Sequence, residues 1–481
     1  MKKALLLLLV SACPLLAAAQ GTSALSLPTL RWNLLDHFLF SNRQDPAQSD
    51  RTNALQHEDK VTLESERTTA GVQFSNQFAG PAEQTRPLVL EKKYLQAKGE
   101  GWRLRAGDSP VELGRGISLA LYEDPVFGIS NTVEGVKAEA TFSSGEGVVF
   151  GGRLNSLQSP VALNPQENPL KNQDIWLGGV GLYSKGSPAT RAGVHYFSAH
   201  QRDLGVDAFS KRWQTVGVLW EKQGLLEDVD TYIESNLLHT DYMGGLAVQV
   251  PNGWGSYASV TWVPLPWKIK IEAKDYRDYR FEFRRAPTLE EDIIVSKNTE
   301  NVSAVKLTTE RRNGSAALTA SYLLGEDRQK SSSLHHGVIG AKGNWGELPL
   351  EAKGGYRVFP GSADLVHASL KVKAGATEFE VRKQLARSNL GSVPLVEDRN
   401  LLNVTHTFSE TFSLGLGYEY LPENDAETGR HFANLSLVYK AGAFSARSLL
   451  GSTSGGTQCS GGVCRQVSPY SGFMVDTAYR F

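Results

Sequence analysis

The sequence lacks an excess of charge of either sign, because 50 lysine and arginine residues are balanced by 51 aspartate and glutamate residues. A protein that binds nucleic acid normally carries a basic patch or stripe on one face. The balance therefore excludes nucleic acid as the expected class of partner.

Long apolar runs are absent beyond the first twenty residues, and no later stretch approaches the roughly eighteen apolar residues of a membrane-spanning helix. The chain has no proline- or serine-rich linker, no abrupt change of composition and no fixed repeat of roughly 20 to 50 residues, which argues against a solenoid. It is nevertheless longer than one compact core usually supports. Its 47 glycines, 9% aromatic residues and three methionines suit many strands and turns.

Cysteine is scarce. Cys459 and Cys464 lie in the segment Cys-Ser-Gly-Gly-Val-Cys, and Cys13 lies near the start of the chain. No histidine follows Cys464, so the segment is not a c-type haem site, and two thiols alone make a poor metal site. In an oxidising compartment the pair predicts a local disulfide. We expect no cofactor and no bound metal.

The N-terminus has the three parts of a secretory signal peptide. Lys2 and Lys3 supply the positive start, residues 5–9 form an apolar run, and small residues 17–19 precede a cleavage site. Lipoprotein processing at Cys13 is an alternative, since Val-Ser-Ala precedes that cysteine. We expect residues 1–19 to be removed and residues 20–481 to form one domain. The mature chain then has 48 basic and 51 acidic residues, a net charge of −3.

Alternation with period two dominates the C-terminal half and indicates strands with one apolar and one polar face. Residues 350–358, 366–373, 378–384 and 412–419 all show this pattern, and short turns alternate with longer polar connections. The pattern predicts an all-β fold, a single transmembrane antiparallel barrel of the outer-membrane type with roughly 18–24 strands. Residues 20–30 are too few for a plug domain, so none is expected. A large soluble β-sandwich is the alternative.

Two regions do not follow the alternation. The polar residues 42–59 are predicted to form a loop, and the phase of the strands is lost between about residue 225 and residue 300.

The last twelve residues resemble the closing strand of Gram-negative outer-membrane barrels, which the barrel assembly machinery recognises. Five residues share one face of this strand: Phe473, Val475, Thr477, Tyr479 and Phe481. Asp476 stands where a glycine is usual. The resemblance implies secretion through the inner membrane and a location in the outer membrane, in contact with lipid, lipopolysaccharide and the assembly machinery. An edge strand of a soluble sheet is the alternative.

Two further stretches resemble a bacterial family of porin-like outer-membrane β-barrels of unknown function. One stretch covers residues 106–119 and continues at 133–137, and the other covers residues 271–276 and 286–289. Ala286 stands where a second proline is usual in the family. The likeness spans most of the mature chain and implies a barrel without an established activity.

The segment from residue 107 to residue 131 is unusual. Pro110 interrupts strand pairing, and Gly114 and Gly116 allow a bulge or a close approach of the backbone. Two interpretations are open: a strand kinked where the sheet curves, or a ligand site.

No arrangement of residues predicts catalysis. A barrel enzyme needs a nucleophile or paired carboxylates close to a positioned histidine. His335 and His336 are adjacent and are interpreted as a solvated loop pair, whereas His195 and His200 are five apart and so lie on opposite faces of a strand. We therefore expect no enzymatic activity and keep a barrel enzyme as the third hypothesis.

Charged residues opposite the apolar stripes are predicted to line the lumen, because facing lipid near the midplane costs about 2–4 kcal/mol per lysine or arginine. These candidates are Lys268, Lys270, Glu272, Lys274, Lys353, Arg357, Lys371, Lys373, Glu378, Glu380 and Arg382. In a channel they set the field that a solute meets. Alternatively, they pair across strands and fill a closed lumen.

The function that we expect is passive passage of solutes across the outer membrane. The alternative is a structural barrel, for example a sheath for a periplasmic multihaem cytochrome. That alternative requires a periplasmic partner protein, since the chain contains no haem motif.

Overall fold

The computed structural model describes the strands and most of their turns, whereas residues 1–19 and Phe481 lie outside the described residues. The described residues are 31–44, 51–79, 86–124, 129–158, 174–186, 189–202, 210–226, 228–243, 252–279, 283, 289, 301–328, 332–358, 363–388, 395–422, 430–454, 456–460, 463–467 and 470–480. Within these ranges, no helix is long and apolar enough to cross a membrane.

The wall of the molecule is a closed antiparallel barrel of 24 strands. Neighbouring strands pair in sequence order, and the barrel closes where the first wall strand pairs with the last, from Leu35↔Arg480 to Gln44↔Ser471. The wall strands are β1 (Arg31–Gln44), β2 (Arg51–Glu64), β3 (Thr68–Ala79), β4 (Arg86–Gly99), β5 (Trp102–Ser109), β9 (Ile129–Phe142), β10 (Gly145–Gln158), β11 (Asp174–Lys185), β12 (Thr190–Arg202), β13 (Ser210–Lys222), β14 (Val229–Met243), β15 (Gly253–Trp262), β16 (Trp267–Arg277), β17 (Val302–Asn313), β18 (Ala316–Asp327), β19 (Ser332–Trp345), β20 (Leu348–Val358), β21 (Ala363–Ala374), β22 (Thr377–Ser388), β23 (Leu395–Ser409), β24 (Phe412–Leu421), β25 (Arg430–Ala441), β26 (Phe444–Thr453) and β29 (Tyr470–Arg480).

Five shorter strands are not part of the wall count. They are β6 (Val111–Leu113), β7 (Leu119–Leu121), β8 (Glu123–Asp124), β27 (Gly456–Ser460) and β28 (Val463–Val467).

The all-β closed barrel is confirmed, with a strand number at the upper end of the expected range. One local prediction is wrong. Residues 42–59 are not a loop throughout, because β2 begins at Arg51. The region between about residues 225 and 300, where the phase of the strands is lost in the sequence, contains the three consecutive wall strands β14, β15 and β16.

The two faces of the wall differ sharply in exposure and polarity. On β13, Val216 and Val218 are each 52% exposed, whereas Trp213 and Thr215 are fully buried. Exposed apolar side chains on a barrel of this type face lipid, and the alternate set faces the lumen. The same rule assigns the inward faces of β14 to β22, where the exposed apolar residues alternate with buried or polar ones.

The connections at the two ends of the barrel differ in length. Two-residue turns at 143–144, 314–315, 346–347, 375–376 and 442–443 all lie at one end, the short-turn end. Longer connections, such as 159–173 and 422–429, lie at the other end, the long-loop end. In outer-membrane barrels the short turns are periplasmic and the long loops are outside the cell.

A short hairpin leaves the wall and enters the lumen from the long-loop end. After Ser109 the chain forms β6 and β7, which pair from Val111↔Leu121 to Leu113↔Leu119. Gly114 and Gly116 have φ angles of 63° and 76° at the turn, a conformation that glycine adopts without strain. We call residues 110–122 the lumen hairpin. The interpretation of this stretch as a kinked wall strand is wrong, because β5 pairs directly with β9 and closes the wall behind it.

The lumen hairpin packs against one side of the barrel. Five of its apolar residues, Val111, Leu113, Ile117, Leu119 and Leu121, are at most 2% exposed. They form one cluster with inward-facing residues of β9 to β19 and with Tyr279, Phe283 and Leu289, which follow β16. Burial of five such side chains contributes on the order of 10 kcal/mol. We call β10–β19 the apolar side of the lumen, and we call β20–β26 with β29 and β1 the polar side.

Candidate functional site in the barrel lumen

Asp108 closes the wall at the point where the lumen hairpin departs. Its carboxylate accepts hydrogen bonds from the Lys93 backbone N–H at 2.7 Å, the Thr132 hydroxyl at 3.1 Å and the Asn155 amide at 2.6 Å. The Asn155 amide also donates to the Glu91 carbonyl at 2.8 Å. A buried backbone group without a partner costs about 1–3 kcal/mol. Asp108 therefore replaces the strand partner that is lost when the chain turns inward.

Glu234 holds the tip of the lumen hairpin. This residue of β14 is fully buried and accepts hydrogen bonds from the Arg115 backbone N–H at 2.8 Å and the Tyr232 hydroxyl at 2.5 Å. The Arg115 guanidinium lies 3.7 Å from the centre of the Tyr232 ring. A buried carboxylate is costly unless it accepts hydrogen bonds. The hairpin supplies one of these donors, the Arg115 backbone N–H. This hydrogen bond therefore stabilises both the position of the hairpin and the buried carboxylate of Glu234.

A second polar contact joins the hairpin to the wall. Ser118 Oγ lies 2.6 Å from His195 Nε2 and donates to Asn236 Oδ1, and His195 Nε2 lies 2.8 Å from the same oxygen. His195 on β12 and Asn236 on β14 meet across Gly217 of β13. A Cβ at Gly217 would lie 1.9 Å from Asn236 Oδ1 and 2.1 Å from His195 Nε2. Glycine is therefore required for the two side chains to meet.

Ser118, His195 and Asn236 do not have the geometry of a catalytic triad. In a triad the two histidine nitrogens serve different partners, whereas here His195 Nε2 faces both Ser118 and Asn236. The amide oxygen of Asn236 can only accept, so Nε2 carries the hydrogen and cannot act as the base for Ser118. The sequence did not indicate this cluster, because its members are 77 and 118 positions apart.

A polar cavity of about 560 Å³ lies between the lumen hairpin and the short-turn end. Three of its cationic lining residues pair with two glutamates within the wall. Arg103 and Lys137 lie 3.2 and 2.8 Å from Glu139, and Arg191 lies 2.7 Å from Glu146. Because these cations and anions are paired, the cavity has polar walls without a strong field of one sign.

The eleven predicted lumen residues divide between the two sides. Lys268, Lys270, Glu272 and Lys274 lie on β16, on the apolar side, opposite the exposed Ile271. The other seven lie on the inward faces of β20, β21 and β22, opposite exposed residues such as Tyr356, Leu370 and Val381. That these residues line a pathway for solutes stays a prediction.

Several of the predicted lumen residues form ion pairs. Lys371 lies 2.8 Å from Glu378, Arg382 lies 2.6 Å from Glu380, and Lys270 lies 2.8 Å from Glu272. Lys371 and Glu378 keep 42% and 40% of their side-chain surface exposed. Exposed pairs of this kind contribute little to stability, on the order of 0–1 kcal/mol. Their charges remain accessible to whatever occupies the lumen.

A pair of buried histidines lies at the border between the two sides. His336 on β19 and His367 on β21 are 3% and 8% exposed, and their Nε2 atoms are 3.0 Å apart. The interpretation of His335 and His336 as a solvated loop pair is wrong, because both belong to β19. His335 has the opposite orientation, with Nδ1 2.9 Å from the Tyr322 hydroxyl on the outer face.

A group of potential metal ligands also occurs on the outer wall. Ligand atoms of Asp36, His57 and Asp59 lie within 4.8 Å of one another. The His57 ring stacks on Phe38 at 4.0 Å between ring centres, and Phe38 is 41% exposed. This group therefore faces away from the lumen and is separate from the site described above.

The remaining predicted residues lie near the C-terminus. Cys459 and Cys464 are directly opposite each other in the β27–β28 pair, which suits a disulfide, but the bond itself stays a prediction. Tyr479 lies in β29 opposite Phe444 and Asp36. The assembly role of Tyr479 and Phe481 stays a prediction.

Comparison with known proteins leaves the function open. Residues 397–481 match a family described as a family of unknown function, DUF6029. The resemblance to a barrel family of unknown function is thereby confirmed, although the matched residues lie after the two stretches on which that resemblance was based. The chain matches no curated protein.

Solved outer-membrane barrels are similar in architecture and very different in sequence. The P pilus usher (PapC) translocation pore is 10% identical, with 93% of this chain and 99% of that chain covered and a TM-score of 0.43. For OccAB3 from Acinetobacter baumannii the identity is 9%, the coverage 94% and 99%, and the TM-score 0.37. The siderophore receptor PirA from the same organism is 7% identical, with 95% of this chain and 81% of that chain covered and a TM-score of 0.49. At these levels no cargo or gating mechanism transfers to this chain.

Proposed function

We propose that this protein is a passive channel of the Gram-negative outer membrane, and that solutes pass along the polar side of the lumen. The observation that carries the proposal is the contrast between the two sides. Apolar side chains and the lumen hairpin fill the side formed by β10–β19. The inward faces of β20, β21 and β22 instead present charged residues, among them Lys353, Lys371 and Glu378.

The electrostatics of this pathway favour a weakly selective channel. Charges in a narrow passage between low-dielectric walls act on a solute with little screening. Lys353, Arg357, Lys371 and Lys373 bias the field toward anions, and Glu378 and Glu380 reduce that bias. We therefore expect a modest preference for anions. The proposal includes insertion by the barrel assembly machinery and no enzymatic activity.

Conductance across a planar lipid bilayer tests the proposal. The mature protein, residues 20–481, should insert in discrete steps, each of which adds an ohmic conductance. Insertion can be checked independently by the heat-modifiable mobility that folded barrels show on gels. Protein that inserts in this folded form but carries no current would contradict the channel.

A structural barrel remains the second candidate, and the ion pairs favour it. Lys371 with Glu378 and Arg382 with Glu380 have the arrangement expected of side chains that stiffen a closed lumen. A folded barrel without conductance would therefore favour a structural role, with a periplasmic protein as partner.

A further inference from the structure

The two buried histidines of the lumen have the geometry of a pair of metal ligands. Their Nε2 atoms are 3.0 Å apart, and the ring planes are inclined at 68°. Two imidazole nitrogens that bind one ion at about 2.0–2.1 Å and about 90–110° are about 2.9–3.4 Å apart. The two donor atoms therefore already lie at the separation that a shared ion requires.

The strand between the histidines provides the space in which they meet. Gly355 on β20 is directly opposite His367, and the next inward residue, Arg357, is directly opposite His336. A Cβ at Gly355 would lie 2.4 Å from His367 Nε2 and 2.7 Å from its Cε1. Any other residue at this position would thus push the ring away from its partner.

Buried apolar residues lie near both histidines on the inward face of the wall. Leu334 and Val338 lie on β19, Leu365 lies on β21, and Leu323 lies on the adjacent β18. In the absence of metal, one ring donates an N–H to the other. An ion requires only that this ring move its hydrogen from Nε2 to Nδ1, so no net proton is released.

We propose that His336 and His367 form a lumen site for a divalent transition ion such as Cu²⁺, Zn²⁺ or Ni²⁺. Neutral imidazole is a preferred ligand of these ions, and Cu²⁺ binds most tightly of them. Two protein ligands leave the other coordination positions to water or to a solute in the lumen. Arg357, next to His336, adds a positive charge that favours an anionic group, such as a carboxylate, at one of these positions. The site does not depend on whether the barrel conducts.

The test is Cu²⁺ binding to the full mature barrel in detergent, measured by titration and by electron paramagnetic resonance. Wild type should bind one Cu²⁺ with coupling to two nitrogen nuclei. The double variant His336→Gln, His367→Gln should lose this signal and bind at least tenfold more weakly. If the folded double variant binds with wild-type affinity and spectrum, the proposal is wrong.

Three single variants make the result specific. His335→Gln changes the adjacent residue, which faces outward, and should leave binding unchanged. His57→Gln removes the carboxylate–imidazole group of the outer wall and should also retain the two-nitrogen signal; its loss in this variant would place the ion on the outer wall instead. Gly355→Ala keeps both imidazoles but separates them, so the signal should be lost.

Each variant is first shown to be folded by heat-modifiable mobility. If the double variant does not fold, Gly355→Ala and His367→Asn decide the question, since each disrupts the pair with a smaller change. Retention of the two-nitrogen signal in both of these folded variants would overturn the site.

Discussion

In two places in the lumen, side chains from two strands meet across a glycine on the strand between them, and the two contacts differ in their surroundings. On the apolar side, His195 and Asn236 from flanking strands meet across Gly217, and Ser118 of the lumen hairpin completes the contact. At the border of the polar side, His336 and His367 meet across Gly355 in the same way.

The comparison shows what an inward glycine on a middle strand does in a barrel. It removes one side chain from the lumen face and lets residues two strands apart form a contact. On the apolar side that contact is joined to the hairpin and helps to fix it. In the second pair the same arrangement joins two imidazoles, which are the proposed ligands of a metal ion.

Removal of the lumen hairpin is the most drastic way to break the contrast between the two sides. In a variant in which Ser109 is joined to Glu123 through two glycines, the apolar side should open to water. Burial worth on the order of 10 kcal/mol would be lost, so the barrel should unfold at a distinctly lower temperature. Conductance per insertion should increase about twofold or more, because it rises with the width of the pore.

An unchanged conductance in this folded variant would show that the hairpin does not restrict the pathway. The same two-glycine linker inserted at the 375–376 turn is the control, since that turn lies outside the lumen.

Replacement of one glutamate on each side of the lumen should reduce stability less than removal of the hairpin, and the loss should differ between the two sides. Glu234→Gln removes a fully buried carboxylate that accepts hydrogen bonds from Arg115, Tyr232 and Asn236. A hydrogen bond to a charged group contributes about 1.5–3 kcal/mol, and the expected loss at Glu234 is of this order. Glu378→Gln affects a pair whose side chains are 40% and 42% exposed, so it should cost less than about 1 kcal/mol. Urea unfolding followed by tryptophan fluorescence measures both, and equal effects would contradict the assignment of Glu234 as the anchor of the hairpin.

Much of the wall could be predicted from the sequence, because strand alternation is a local property. The face of the strand on which Leu370 or Lys371 lies can be predicted from the neighbouring residues in the sequence alone. The prediction failed where polar residues lie on the outer face, as in β2, where His57 and Asp59 point outward. Those positions break the alternation, and the polar stretch 42–59 therefore predicts a loop.

The interior of the lumen could not be predicted, because it depends on contacts between residues distant in sequence. Pro110, Gly114 and Gly116 marked the lumen hairpin as unusual, but nothing local indicated that it turns inward. Ser118 meets Asn236 across 118 positions, and His336 meets His367 across 31. Only the register of neighbouring strands brings such residues together, and the alternation within a single strand does not reveal that register.

Charge reversal on the polar side should have the smallest of these effects and tests the pathway itself. Lys371 and Lys373 lie on the inward face of β21, and Lys371 is already paired with Glu378 at 2.8 Å. Reversal of both to glutamate replaces two positive charges by two negative ones and frees Glu378 from its partner. The reversal potential in a salt gradient should therefore move toward cation preference. Because the sites are partly exposed, the fold should be unaffected and the shift should decrease as ionic strength rises.

The matched control reverses Lys268 and Lys270, whose strand lies on the apolar side. Equal shifts from both reversals, or none from the first in a conducting barrel, would mean that solutes do not follow the polar side.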